Sequence, residues 1–353
     1  MFNDTVAFAG QSGNGCKYVD GSELSDPDLF WDREAIIRWL QVRGTEQELL
    51  FAAARSAREQ VYGRRVIVRG LIEVTNLCRV NCEFCPMRRD NTKQNTIFQL
   101  TPDQILDVVA DIKAAGINIV FFQAGEVGKT TRLVGDLLPE IQARFDSPVE
   151  LLLCLGNKTD TEYEFLKKQG GTSYILKHET SDPDLNERMR QSSFEERIRC
   201  LRTLVRLGFK VGTGAIVGLP GQSVESLADD LELARDLGAH MVSGSPFIPA
   251  PDTPLADHPP GDVELTLNLI AIARIMNPSW LIPSVSALER RQGGGQLSGL
   301  AAGANVLTVN FTPPVEQEKY LIYGKDRYVV RNDHVSEIVR QAGLERAHSV
   351  FAA

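Results

Sequence analysis

Residues 66–91 read VIVRGLIEVTNLCRVNCEFCPMRRDN. A β-rich run, read as a strand over 67–75, gives way to three cysteines, Cys78, Cys82 and Cys85, crowded onto one loop. Thiolates at this spacing can meet at a single ion or cluster, and soft sulfur favours zinc, copper(I) or iron–sulfur. Structural zinc wants a fourth protein ligand, yet the nearest histidine, His178, is about 90 residues on. A [4Fe–4S] cluster ordinarily takes four cysteines too, so three would leave one iron open. Spacing alone leaves three readings: a cluster with an open iron, zinc with a distant fourth ligand, or cysteines without metal.

The same stretch opens a long alternation. Short β-rich runs at 67–75, 118–123, 149–154, 172–177, 210–216, 240–246, 280–285 and 305–309 alternate with helical segments. Among the helices are TPDQILDVVADIKAAG (101–116), where Thr101 can cap and Pro102 suits the first turn, and SFEERIRCLRTLVRLG (193–208), which ends in Gly208. Eight such units imply parallel strands with right-handed crossovers, so the fold class is α/β, a (βα)8 TIM-type barrel. In that fold the active site forms where the strands end, and the three cysteines fall there. Residues 31–62 carry apolar residues at helical spacing, with Thr45 placed to cap, while the first 30 read as a loose extension. YLIYGKDRYVV (320–330) reads as a short hairpin or strand and 333–343 as a final helix. The expected division is an N-terminal extension with helices at 1–62, the barrel at 63–312, and a C-terminal extension packed on it at 313–353.

Composition narrows the function classes. A chain of 353 residues, 43% hydrophobic and 24% charged, can bury a sizeable core and is unlike a disordered or membrane chain. The formal charge of −8, without a long basic run, argues against nucleic acid or a membrane as partner and favours a small-molecule substrate. No apolar run approaches the span of a membrane helix, and the start has neither a basic nor an apolar leader region. Six cysteines, three clustered and three scattered (Cys16, Cys154, Cys200), form no disulfide framework. Reduced thiols in a cytoplasmic protein are expected.

Cys-x3-Cys-x2-Cys after the first strand, with Phe84 before the last cysteine, resembles the radical S-adenosylmethionine (SAM) superfamily. More narrowly, ILKHETSDPDL (175–185), GAIVGLPGQSVESLADDL (214–231), PFIPAPDTPLAD (246–257) and GANVLTVNFTP (303–313) resemble the biotin-synthase-like group, and within it the HydE-type maturases of [FeFe]-hydrogenase. The resemblance covers residues 35 to 330. It implies that Cys78, Cys82 and Cys85 hold a [4Fe–4S] cluster whose fourth iron takes the amino and carboxylate groups of SAM. An electron passed through the cluster would cleave SAM to methionine and a 5′-deoxyadenosyl radical. A reductant such as flavodoxin or ferredoxin is then a partner.

Site residues carry over one at a time. Gly125 and Glu126, in FFQAGE (121–126), resemble the Gly-Gly-Glu motif that receives the SAM amino group, with Ala124 in place of the first glycine. Glu179 in KHET (177–180) and Arg197 in SFEER (193–197) match positions that meet the SAM ribose and carboxylate; the planar guanidinium suits a carboxylate. Phe84 and Ile216 match cofactor contacts, Ile216 against adenine. The blander readings are that Glu126 starts a helix, Arg197 is a surface charge and Ile216 is core. Leu152, Gly212 and Pro283 stand where biotin synthase has the ligands of a second cluster, so sulfur insertion is not expected. RYVVRNDHVSEIVRQAG (327–343) lacks the cysteines of an accessory cluster.

Cys154 shares a strand face with Leu152, so it either points into the cavity or is inert core. Lys177, where relatives commonly have arginine, would bind an anionic substrate group. Thr213, Ser245 and Ser284 complete the candidate substrate contacts, while His178 reads as a hydrogen-bonding core residue. GLPGQS (218–223) and GEVGKTT (125–131) lack the spacing of a phosphate loop. The reading is a radical SAM enzyme acting on a small anionic substrate, HydE-like in metallocofactor maturation. The alternatives are a radical mutase or tailoring enzyme on an amino-acid-like substrate, as in methylornithine synthase, and a non-catalytic iron–sulfur or zinc protein.

Overall fold

A ring of parallel strands forms from the alternation, with one rung built differently from the rest. The computed structural model describes residues 33–91 and 96–347, so the reading of the first 30 residues lies outside the described residues. Helices α1 (Arg33–Leu40) and α2 (Thr45–Tyr62) precede β1 (Arg65–Thr75). Then come α3 (Pro102–Ala114), β2 (Ile119–Ala124), α4 (Gly128–Ala143), β3 (Glu150–Cys154), α5 (Asp160–Lys168), β4 (Ser173–Ile175) and α6 (Pro183–Arg190). The second half adds α7 (Phe194–Arg206), β5 (Lys210–Val217), α8 (Val224–Asp236), β6 (Met241–Pro246), α9 (Val263–Met276), α10 (Ser286–Arg291) and α11 (Gly295–Ala301). Last are β7 (Val306–Asn310), α12 (Pro314–Gln317), α13 (Asn332–Gln341) and β8 (Glu345–Ala347).

Local chemistry accounts for the helix ends. Thr101 caps α3 in a reciprocal capping box with Gln104, with Pro102 in the first turn. Ser193 caps α7, and Gly208 beyond its end takes φ 74°, which costs glycine little. Thr45 is not a cap: it is the first residue of α2, and Gly44 occupies the cap position without a side-chain bond.

The strands run β6–β5–β4–β3–β2–β1–β7, all pairings parallel. The run at 280–285 is not a regular strand. It closes the ring through two bridges, Met241↔Leu281 and Pro283↔Val306. Pro283 has no N–H to give, and the Ile282 amide is taken by the Asn305 side chain at 2.9 Å, so no continuous ladder can form. Arg274 of α9 holds this rung from below. Its guanidinium, fully buried, donates to the carbonyls of Gly303, Pro278 and Trp280 and to Asn305 Oδ1 at 2.7–2.9 Å.

The C-terminal region departs further from expectation. Residues 320–330 form turns, neither hairpin nor strand, because Tyr323 (φ 64°) and Gly324 (φ 94°) in succession break an extended run. The late strand is instead β8, which follows α13 and pairs with Arg65–Ile67 at the start of β1. Inside the ring Ile67, Ile119, Phe121, Leu152, Met241 and Val306 pack together, which leaves the open space at the strands' C-terminal ends. Helices α1 and α2 bury Ile36, Trp39, Leu50 and Ala54 against α8 and α9. Among the described residues no helix is long and apolar enough to cross a membrane.

Replacing Arg274 with Met nearly keeps the volume but takes the guanidinium from the carbonyls of Gly303, Pro278 and Trp280, while Asn305 Oδ1 keeps the Ile282 amide. Unfolding free energy should fall by about 3 kcal/mol, read as a lower urea midpoint with an unchanged slope.

Candidate active site

The cysteine loop is fastened on three sides. Asn76, at the end of β1, donates to the carbonyls of Thr96 (2.8 Å) and Lys319 (2.9 Å) and accepts from the Phe98 amide (3.0 Å). The Glu83 amide donates to the Met189 carbonyl of α6, and the Arg89 amide closes the loop onto the Val80 carbonyl. On the third side the loop meets the end of β2 at Gly125. A Cβ there would lie 2.1 Å from the Leu77 carbonyl oxygen and 2.8 Å from the Cys78 side chain, so only glycine allows the approach. That approach lets the Glu126 amide donate to Cys78 Sγ at 3.3 Å.

Cys78, Cys82 and Cys85 line one cavity of about 350 Å³ at the C-terminal ends of the strands. Burial pushes the Cys82 thiol up to about 11 and Cys85 higher still, with the neighbouring thiols adding to it. A bound metal centre would hold them as thiolates. Among the described residues no three His, Cys, Asp or Glu side chains gather closely enough to bind one ion. The donor set is three thiols lining one cavity, and soft sulfur of this kind suits a metal–sulfur centre.

Charged groups converge on the same space. Glu126 is no helix start: α4 begins two residues later, and the buried carboxylate accepts from Arg79 at 2.8 Å and from the Asn157 amide at 2.7 Å. Gly156 clears room for it, since a Cβ there would lie 2.4 Å from Glu126 Oε2. Glu179 takes φ 71°, a left-handed backbone that costs a glutamate of order 1–3 kcal/mol and is held by bonds to Gly214 and Ile216. Its Oε2 lies 3.2 Å from the Lys177 ammonium but receives no aligned hydrogen bond. Arg197 is 3% exposed and faces the cavity, not solvent, and its Nε has no partner.

Arg190, at the end of α6, was not singled out from the sequence, where it reads as one more charge in RMRQSS. It is buried, lines the cavity, lies 3.8 Å from Glu126 Oε2, and also has an unpartnered Nε. Burial works against its charge, but Cys82, Glu179, Glu126 and Cys78 outweigh that and raise its pKa. Two desolvated guanidiniums with open donors and a strained carboxylate form a cradle for a zwitterion.

The remaining expectations divide. Phe84, Cys154 and Lys177 line the cavity. Burial pushes the Cys154 thiol up to about 11, so it stays protonated at neutral pH. Thr213 and Ser284 reach the wall, but their hydroxyls are already committed. Thr213 Oγ1 donates to the Leu176 carbonyl and pairs with His178, and Ser284 Oγ donates to the Gln296 carbonyl. Ser243, not Ser245, faces the space. Ile216 is also outside the wall: it packs with Met189, Leu219 and Phe247 in an apolar cluster against which Phe84 rests. His178 is fully buried between Thr213 and Asp230, a hydrogen-bonding core residue as read. Leu152 is core, and Gly212 and Pro283 line the cavity without offering a ligand. Tyr320, Ile322, Tyr323 and Tyr328 also line the cavity, their segment pinned by a buried ion pair between Arg327 and Glu73 of β1. That part of the wall carries no sequence signature.

The radical SAM superfamily model matches residues 72–234. The [FeFe] hydrogenase maturase subunit HydE of Thermotoga maritima is 38% identical over 278 residues, covering 78% of this chain and 79% of that protein. A 3-methylornithine synthase of Methanosarcina barkeri is 26% identical over 332 residues, 93% of this chain and 91% of its own length. In fold, the crystal structure of methylornithine synthase matches with a TM-score of 0.79 at 23% identity, covering 91% of this chain and 97% of that one. The chain belongs to the radical SAM superfamily, whose enzymes pair a [4Fe–4S] cluster with S-adenosylmethionine.

Proposed function

We propose that this chain is a HydE-like enzyme that cleaves SAM reductively and directs the radical onto a small anionic substrate, in the maturation of a metallocofactor. The observation that carries the reading is the gathering of three thiols, two carboxylates and two open guanidiniums around one cavity. Identity of 38% to a hydrogenase maturase supports the finer assignment. The cytoplasm is its proposed workplace, where free thiols such as Cys154 and Cys200 stay reduced.

Each residue has a role in this reading. Cys78, Cys82 and Cys85 would hold the cluster, and the Glu126 amide would lend its N–H to the Cys78 sulfur. A cluster held there would supply the electron for splitting the sulfonium of bound SAM. Glu126 takes the SAM ammonium, Arg197 and Arg190 take the carboxylate, and Glu179 takes the ribose. Phe84, backed by Ile216, offers an apolar wall for adenine. Lys177 and Cys154 face the substrate, the lysine giving it a positive contact. Tyr320, Ile322, Tyr323 and Tyr328 in the cavity wall would help to exclude water, which protects a reactive intermediate. Residues 63–312 would then form the catalytic unit, with 313–353 closing it. A mutase acting on an amino-acid-like substrate is the second reading, favoured by the near full-length match to a 3-methylornithine synthase.

Anaerobic reconstitution followed by SAM, dithionite and candidate substrates tests both readings, with 5′-deoxyadenosine and new products followed by mass spectrometry. Cleavage of SAM is expected, and a reconstituted protein that leaves SAM intact would overturn the proposal. Turnover of a free amino acid, with none on an organometallic precursor, would select the mutase. Arg197→Lys should weaken SAM binding about tenfold or more in equilibrium dialysis, because an ammonium cannot give the two parallel bonds of the guanidinium. Gly125→Ala should fold but retain little iron after reconstitution, as the added methyl pushes the Leu77 carbonyl and with it Cys78 out of place.

A further inference from the structure

Cys154, Tyr320, Tyr323 and Tyr328 each carry an exchangeable hydrogen on the cavity wall, and one of the four has a base held against it. The Tyr328 hydroxyl lies 2.9 Å from His334 Nδ1, with the two rings edge to face. His334 stands in the first turn of α13, half-buried, and its other nitrogen, Nε2, lies 2.9 Å from Gln296 Oε1. The buried Gln296 amide cannot turn over. Its Nε2 donates to the Ser284 carbonyl at 2.8 Å, and a flip would set oxygen against oxygen. The Gln296 backbone is held as well, its amide on the Glu289 carboxylate and its carbonyl under the Ser284 hydroxyl.

These bonds fix the tautomer. Gln296 Oε1 can only accept, so the neutral imidazole carries its hydrogen on Nε2; Nδ1 is then the acceptor and Tyr328 the donor. Burial, with Glu289 and Asp333 nearby, raises the Tyr328 pKa, so the phenol keeps its hydrogen at neutral pH. An imidazole that reaches the surface can take up a proton from solvent and pass it to the phenol oxygen. The Thr213 hydroxyl also meets a histidine, but it donates to the Leu176 carbonyl, and His178 is fully buried away from solvent. Neither Cys154 nor Tyr320, which is buried beneath the Arg327 guanidinium, is hydrogen-bonded to a histidine. Tyr328 is thus the wall residue whose hydrogen can be replaced after each use.

We propose that Tyr328 is the hydrogen-atom donor that ends the radical reaction, with His334 as the positioning residue that restores it. The phenol O–H bond breaks and a C–H bond forms on the carbon-centred radical in the cavity, leaving a phenoxyl radical. One electron from a low-potential one-electron reductant, the class that also charges the metal–sulfur centre, and one proton passed in through His334 Nδ1 then return the phenol. Turning the O–H from His334 toward the cavity gives up one hydrogen bond, a small loss beside the exchange of an O–H bond for a stronger C–H bond. SAM is on this account consumed with each product and not regenerated. The role rests on the radical SAM reading and adds the group that closes the cycle.

A reaction without substrate tests it. Reconstituted protein is incubated with SAM and dithionite in D2O, 5′-deoxyadenosine is analysed by mass spectrometry, and rapidly frozen samples are examined by EPR. Wild type should place one solvent deuterium in 5′-deoxyadenosine and show a tyrosyl radical. Tyr328→Phe should lose the radical and lower the deuterated fraction at least about tenfold. The isosteric replacement of Tyr328 by 3-fluorotyrosine, which spares the fold, should add fluorine splitting to the EPR signal. In His334→Ala the radical should outlive the wild-type one at least about tenfold, and free imidazole should shorten it again; a lifetime that imidazole leaves unchanged would overturn the role of His334. Before loading, 15N-histidine NMR of the full chain should show His334 with a protonated Nε2 and an accepting Nδ1, and the reverse tautomer would overturn the proposal. A deuterated fraction that Tyr328→Phe leaves unchanged, or a signal without fluorine splitting, would overturn the donor while SAM cleavage keeps the enzyme reading intact. Loss of the radical in Tyr320→Phe instead would overturn it in favour of that residue. Should wild type leave SAM uncleaved, the enzyme reading falls and the donor with it.

Discussion

One close approach governs the centre of this molecule: the Leu77 carbonyl against the bare Cα of Gly125. The ends of β1 and β2 run side by side, so any side chain at 125 would drive the two loops apart. With no Cβ there, the Glu126 amide reaches the Cys78 sulfur and the Arg79 amide reaches the Glu126 carbonyl. The sulfur-bearing loop and the carboxylate-bearing loop become one surface. Gly156 repeats the device on the next strand, leaving space for the Glu126 carboxylate to receive the Asn157 amide. Two absent methyl groups thus fix the geometry of three strand ends.

Charge is then arranged without being neutralised. Buried arginines are expensive unless paired, yet Arg190 and Arg197, both lining the cavity, each keep a buried Nε without a partner. Glu179 holds an unfavourable backbone and an unsatisfied oxygen beside them. Such costs survive selection where a bound molecule repays them, and their concentration at one place is the physical mark of a ligand site.

The sequence exposed some of this and hid the rest for definable reasons. Period-two and helical runs are local, so seven of the eight expected strands and the capped helices could be read directly, as could the cysteine spacing. Resemblance placed Glu126, Glu179 and Arg197, all of which reach the cavity. Arg190 escaped because nothing in RMRQSS distinguishes a buried guanidinium from a surface one. The run at 280–285 looked like a strand because its composition is β-rich, while its pairing depends on Pro283 and on a side chain 23 residues away. Thr213 and Ser284 looked available because hydroxyl commitments are tertiary facts. The turns at 320–330 resemble a short hairpin or strand in sequence, since apolar and aromatic residues that face a cavity resemble those that face a sheet.

The strand with which the barrel begins is also the one it finishes on. β1 pairs with β7 along Ile67–Leu71 and with β8 along Arg65–Ile67, partners more than 230 residues downstream. A nascent chain leaving the ribosome carries this apolar strand with one edge unpaired until nearly the whole polypeptide has emerged. Folding of this topology is dominated by distant contacts and is correspondingly slow. Loss of β8 alone would bare the edge at Arg65–Ile67, and loss of β7 as well would leave that whole side of β1 without a partner.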